Sequence, residues 1–225
     1  MLRRAATITC KDLKLSVSGG QGLVQAVLLG LLLIFLFSLS KPLGGQITAQ
    51  AAGAIFWLAS AFGLVLVFND LFAIEEANGS RIGILSSPAP IHCVWIGKGI
   101  AGLCLLLVSQ LVFLPATIAF LGQTVYGPWW LLWTTLLGAD IGLVVIGALL
   151  GALSQGQAAR ESLLSVIVFP LLLPVLLSGI TLFGMCFFPE VADGYDSWLG
   201  LIFAFDALFA GAGLFLFPFV YSGEE

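Results

Sequence analysis

Charge is scarce in this sequence, and that scarcity excludes most soluble functions. Of 225 residues only 9% are Asp, Glu, Lys or Arg, while 60% are hydrophobic; a soluble domain carries about 25% charged residues. So much apolar surface cannot fit into one small core, and the surplus must face lipid. Eight basic residues against twelve acidic ones give a net charge of −4, with no basic patch for nucleic acid. Histidine occurs once, at His92, so there is no H-E-x-x-H and no histidine-built metal cluster. The four cysteines, Cys10, Cys93, Cys104 and Cys186, form no C-x-x-C pair and read as small apolar residues. No G-x-x-x-x-G-K-[ST] is present, because Gly97-Lys98-Gly99 is followed by neither Ser nor Thr. The chain therefore has no ATPase site of its own, and nothing marks it as an enzyme or as a holder of a metal.

What is there in quantity is apolar run length. Six runs stand out, at about residues 23–40, 49–69, 99–122, 130–153, 163–188 and 198–221. Each approaches or exceeds the roughly 20 residues that span a bilayer. Backbone groups in lipid must pair within the chain, and these runs are too continuous for barrel strands. The expected fold is an all-α integral membrane protein with six transmembrane helices in one domain, residues 1–225. The first run follows Arg3 and Arg4, and Ala49-Gln50-Ala51 imitates a leader cleavage site. The run is long for a leader, however, and that site lies far beyond its end.

Basic residues set the orientation. Arg3, Arg4, Lys11 and Lys14 precede the first span, Arg81 and Lys98 follow the second, and Arg160 follows the fourth; Lys41 stands alone on the other side. Both termini and the 71–90 loop are thus expected in the cytoplasm. The mixed basic and apolar segment 1–20 is expected to lie along the inner membrane surface, or to be a basic tail. In 71–90, Leu71, Phe72, Glu75 and Glu76 continue the second span as helix, and Asn78-Gly79 ends it. Ser80 can then open a second short helix, which Ser87-Pro88-Ala89-Pro90 stops. This polar hairpin either docks something soluble and basic or only separates two spans.

These pieces together resemble the CcmB family, the membrane permease of the ATP-binding-cassette system for cytochrome c maturation. Lys11-Asp12-Leu13-Lys14-Leu15 is similar to the family's R-D-L-R-L start, and Gly53-Ala54-Ile55-Phe56-Trp57 to its G-x-x-x-W. Leu71-Phe72, Glu75, Asn78-Gly79-Ser80 and Ser87-Pro88-Ala89-Pro90 follow its L-F…acid…D-G-S…S-P-x-P loop, with departures at Arg81 and Ile82. Arg160-Glu161-Ser162-Leu163-Leu164 and Phe169-Pro170-Leu171-Leu172-Leu173-Pro174-Val175 resemble its R-E-x-L-L and P-L-x-x-P runs. The resemblance implies that 71–90 is an exporter's coupling helix seated on a separate ATPase. Leu71, Phe72, Glu75, Glu76, Asn78, Gly79 and Arg81 would form the contact, with both glutamates meeting basic residues of the ATPase.

Within the spans two acids stand out. Asp140 lies about ten residues into the fourth and Asp206 about eight into the sixth. A central Asp costs on the order of 2.5–3.5 kcal/mol to insert, so both should face protein or water. They mark a hydrated path or conformational latches, or they are protonated packing residues. Two G-x-x-x-G pairs, Gly138/Gly142 and Gly147/Gly151, would let helices approach the fourth span on two sides. Pro170 and Pro174 mark a hinge or a static bend. For haem, His92 is the sole imidazole, and Met185 and Cys186 offer sulfur; a polar interface anchor is the alternative for His92. Trp57 and Trp133 read as internal packing residues.

The resemblance further implies a job in the bacterial inner membrane. An ATPase like CcmA would drive haem export, or release of a haem-loaded chaperone like CcmE. Other partners would be a haem-handling membrane protein like CcmC, a small membrane subunit like CcmD, a second copy of this chain, and lipid. Haem would be substrate rather than a stable cofactor, and ATP would be used by the partner. A permease for another lipid-like substrate, or a subunit that only relays ATPase motion, would share every feature read so far.

Overall fold

The computed structural model describes residues 1–19, 21–40, 47–77, 79–86, 90–154, 158–188 and 194–222. Of the expectations above, those on Lys41, Asn78, residues 87–89 and the tail beyond Ser222 lie outside the described residues, and so do the side chains of residues 158–169, Arg160 among them. Eight helices follow in order: α1 (Leu2–Gly19), α2 (Gln21–Leu39), α3 (Ala49–Ala77), α4 (Ser80–Leu85), α5 (His92–Leu121), α6 (Trp129–Ser154), α7 (Ala158–Cys186) and α8 (Tyr195–Ser222).

Five of them are long and apolar enough to cross a membrane: α2, α3, α5, α6 and α8. In α7 the described apolar stretch is shorter, Pro170–Cys186. The protein is thus an all-helical membrane protein with at least five candidate crossings. Two helices overrun their apolar runs. α3 continues to Ala77 and α5 begins at His92, so Glu75 and Lys98 stand on regular helix rather than in loops. Helix is the cheapest way to carry such residues toward lipid, because every backbone group stays paired.

The packing order follows from the contacts. α3 lies against α2, α5, α6 and α7, and α6 lies against α3, α5, α7 and α8. Buried residues make up 67% of the most apolar window of α3 and 72% of that of α6, against 22% in α2 and 17% in α8. α3 and α6 therefore form the centre, and α2 and α8 turn most of their surface outward. The two glycine pairs of α6 face different neighbours. Gly147 and Gly151 meet Phe68 and Phe72 of α3, while Gly138 and Gly142 meet Ile202 and Asp206 of α8. Without a Cβ on α6, the bulky partner fills the space and the axes come close.

Successive spans run antiparallel. At one end Lys98 of α5 meets Leu71 of α3, and Arg81 meets Tyr221 of α8. At the other end Gln123 donates to the Ile47 carbonyl and Gly127 to that of Cys186. α1 and the end of α8 lie at the same end of the bundle. Trp57 is buried, as expected. Trp133 is not: it is 45% exposed, because its side of α6 has no neighbouring helix.

Candidate functional site

Charge that the sequence scatters over 200 residues converges at one corner. The last turns of α3 supply Leu71, Phe72 and Glu75, the second turn of α5 supplies Lys98, α1 supplies Lys11 and Asp12, and the last turn of α8 supplies Tyr221. Lys98 has no exposed side-chain surface. An ammonium carries three hydrogens and needs three acceptors when water is excluded. Here they are the Leu71 carbonyl at 2.9 Å, Glu75 Oε2 at 3.2 Å and Asp12 Oδ2 at 3.5 Å. The Phe72 ring lies below the ammonium, 4.4 Å from it, and adds a cation–π attraction.

Glu75 is the hub. Its side chain is 1% exposed. Oε1 pairs with Lys11 at 3.0 Å, and Oε2 pairs with Lys98 and accepts a hydrogen bond from the Tyr221 hydroxyl at 3.1 Å. Lys11 also meets Asp12 Oδ1 at 3.0 Å. Two cations thus face two carboxylates, which is the balance that burial demands. Burial alone would pull the Lys11 ammonium down; the neighbouring Asp12 and Glu75 carboxylates outweigh it and hold it above the ordinary lysine value.

The short helix α4 hangs from this hub. Gly79 turns the chain in the left-handed conformation (φ 61°), which only glycine adopts freely. The Ser80 hydroxyl donates back to the Glu75 carbonyl at 3.3 Å, closing the end of α3. Arg81 donates to the Tyr221 carbonyl at 2.8 Å, stacks over that ring at 5.6 Å, and stands 3.9 Å from Glu76. A cation on the last carbonyls of α8 also suits that helix's dipole. Arg81, a departure from the family pattern, is thus a clasp between α4 and α8.

Seven residues were expected to face an ATPase. Glu76 does reach the surface, 53% exposed, as does Gly79. Leu71, Phe72 and Glu75 are buried, and Arg81 is partly covered. In this structure the Glu75 carboxylate is turned inward, held by Lys11, Lys98 and Tyr221. Sequence reasoning did not single out Asp12, Lys98 or Tyr221 for this site. The signal available was that Lys98 sits at a span's edge with helical residues on both sides, but its Asp12 partner is 86 residues away.

A second polar group lies within the spans. Gln110 Nε2 on α5 donates to Asp140 Oδ1 on α6 at 2.7 Å and to Ser60 Oγ on α3 at 3.2 Å. All three are buried. Gln110 and Ser60 went unnoticed in the sequence because neither is charged. Asp206 is buried beside Gly142 of α6, and neither of its oxygens has a hydrogen-bond partner among the described residues. Pro170 is exposed and Pro174 half-buried, both inside the uninterrupted α7. His92 opens α5 at the charged corner. Met185 and Cys186 end α7 at the opposite end, where Met185 and Gln50 help line a cavity of about 260 Å³. The 30 residues of α5 span about 45 Å, so His92 and Met185 cannot hold one haem iron within a single chain. Among the described residues no group of three His, Cys, Asp or Glu gathers to hold a metal.

The comparisons with known proteins agree on one family. The family model described as CcmB protein matches residues 3–222. The heme exporter protein B of Rhodobacter capsulatus is 29% identical over 178 residues, covering 75% of this chain and 77% of that protein. The protein of the same name from Haemophilus influenzae is 29% identical over 167 residues, 74% of this chain and 75% of its own. That from Paracoccus denitrificans is 30% identical over 173 residues, 75% and 77% respectively.

Proposed function

The chain belongs to the CcmB protein family, and on that premise we propose that it is the membrane permease of an ATP-driven haem exporter serving cytochrome c maturation. It would sit in the bacterial inner membrane, with six spans and with the charged corner in the cytoplasm. Lys11, Arg81 and Lys98 all lie at that end, which suits the positive-inside rule. A separate ATPase like CcmA would supply the energy, and subunits like CcmC, CcmD and CcmE would handle haem on either side of the step.

The observation that carries this reading is the position of α4. It hangs from a hub that joins the ends of α3, α5 and α8 to the middle of α1, and the exposed Glu76 stands at its root. A push on α4 passes through Arg81 to α8, through Ser80 to α3, and through Glu75 to α5 and α1. A paired ion network transmits displacement where its members are buried, as Glu75, Asp12 and Lys98 are, because they have little water to yield into. The ATPase thus contacts Glu76 and α4, while Glu75 acts behind the contact as a positioning residue.

The test is reconstitution with the ATPase, scoring ATP turnover and haem delivery separately. Glu76→Lys is expected to leave basal ATP turnover within about two-fold and to lower haem delivery at least ten-fold. Normal coupled delivery by that variant would overturn the docking role of Glu76.

A further inference from the structure

We propose that the face of α1 turned away from the bundle is a binding surface for anionic phospholipid headgroups. The proposal does not rest on the transport reading.

α1 divides into three sectors at 100° per residue. Ala5, Thr9, Asp12 and Ser16 are buried and pack toward α5, where Thr9 donates to the Gly97 carbonyl at 2.9 Å. Opposite them lie Arg3, Thr7, Lys14 and Ser18, all exposed. Between the two runs an apolar flank in which Leu2 is 79% and Val17 67% exposed. Lys11 borders the basic sector but is tied inward to Asp12 and Glu75.

The helix lies across the bundle rather than along it. Cys93 of α5 approaches the Met1 carbonyl, and Lys98 of α5 approaches Asp12. Eleven steps along α1, from 1 to 12, therefore match five along α5, from 93 to 98. That is on the order of 16 Å of chain against 8 Å of helix. From there α1 reaches Glu75 on α3, and its end at Gly19 stands two residues from the start of the span α2 at Gln21. A helix crossing the ends of membrane spans, with a basic strip beside an exposed apolar strip, meets both chemistries in one place at a bilayer surface: phosphate above, acyl chain beside it. An acidic protein would satisfy the arginine and lysine but leave Leu2 and Val17 in water. Charge complementarity together with the apolar flank therefore favours anionic lipid.

The test uses the full chain in detergent, titrated with phosphatidylglycerol and with phosphatidylcholine and read by native mass spectrometry. Phosphatidylglycerol is expected to bind more tightly. In Arg3→Gln/Lys14→Gln its apparent affinity should fall about five-fold per charge removed, roughly 25-fold together, with phosphatidylcholine unchanged. Both side chains are exposed, so the variant should keep the wild-type unfolding midpoint. Should it not, the wild-type chain in about 1 M salt gives the same answer, since screening should abolish the preference. Equal binding of the two lipids by the wild type, or a preference that survives the double variant or high salt, overturns the proposal.

Discussion

Lys98 shows what a single charge does once water is gone. Its ammonium has three acceptors and a ring beneath it, and the carboxylates it meets are themselves buried. Removing one member of such a network leaves the others uncompensated, which costs about 3–5 kcal/mol. Lys98→Met is therefore expected to lower stability by that amount in a detergent-unfolding titration, and Lys98→Met/Glu75→Gln to recover part of it. A single variant as stable as the wild type would mean that water reaches the cluster and that it is not a rigid hub. Glu75 was legible as a charge beside a helix end, and the exposed Glu76 looked identical to it. Adjacent residues on a helix point about 100° apart, and only the positions of α1, α5 and α8 decide which of the two is inside.

At the scale of the element, the helices themselves were readable because length and apolar content suffice to name a span. Which face of a helix packs was not. A segment apolar all round carries no periodic signal, so the burial of Trp57 and the exposure of Trp133 look alike in the sequence. Glycine gave the better clue, since the two pairs on α6 do separate its neighbours α3 and α8. Gly147→Leu should force α6 from α3, because even a Cβ there would lie 2.8 Å from the Phe68 ring, and overpacking costs about 1–3 kcal/mol. Gly200→Leu, where nothing lies within 4 Å, should be neutral in the same unfolding assay. Equal losses at both positions would show that contact with α3 is not what Gly147 serves, since helix propensity by itself favours Leu over Gly. In α7 the Ser178 hydroxyl donates to the Pro174 carbonyl at 2.9 Å, while Pro174 leaves the Pro170 carbonyl without its usual donor. That is a local weakness on which a hinge could act.

For the whole molecule, α1 and the end of α8 share one end of the bundle, so one accessible residue at that end reports the orientation of everything. Cys10 is exposed, whereas Cys93 and Cys186 are buried and Cys104 is half-covered. A membrane-impermeant maleimide is expected to label Cys10 in inside-out vesicles and not in intact cells. A Thr124→Cys variant, reporting from the opposite end, should behave in reverse. Labelling of Cys10 from outside the cell would invert the proposed orientation and place the corner beyond the reach of any cytoplasmic ATPase. The broadly exposed surfaces of α2 and α8 leave room for neighbours.

By itself the sequence determined the solvent and the helical class, and it carries no G-x-x-x-x-G-K-[ST] motif. These follow from composition, run length and motif, which are local properties. The tertiary structure decided that Asp12, Glu75, Lys98 and Tyr221 form one hub, that Glu76 and not Glu75 is offered outward, and that Gln110 joins Ser60 to Asp140. Those pairings link residues from different helices, from Glu75 and Lys98 at the near end to Glu75 and Tyr221, 146 positions apart, at the far end. Their cause is the exclusion of water at helix contacts, and no window of the chain contains it.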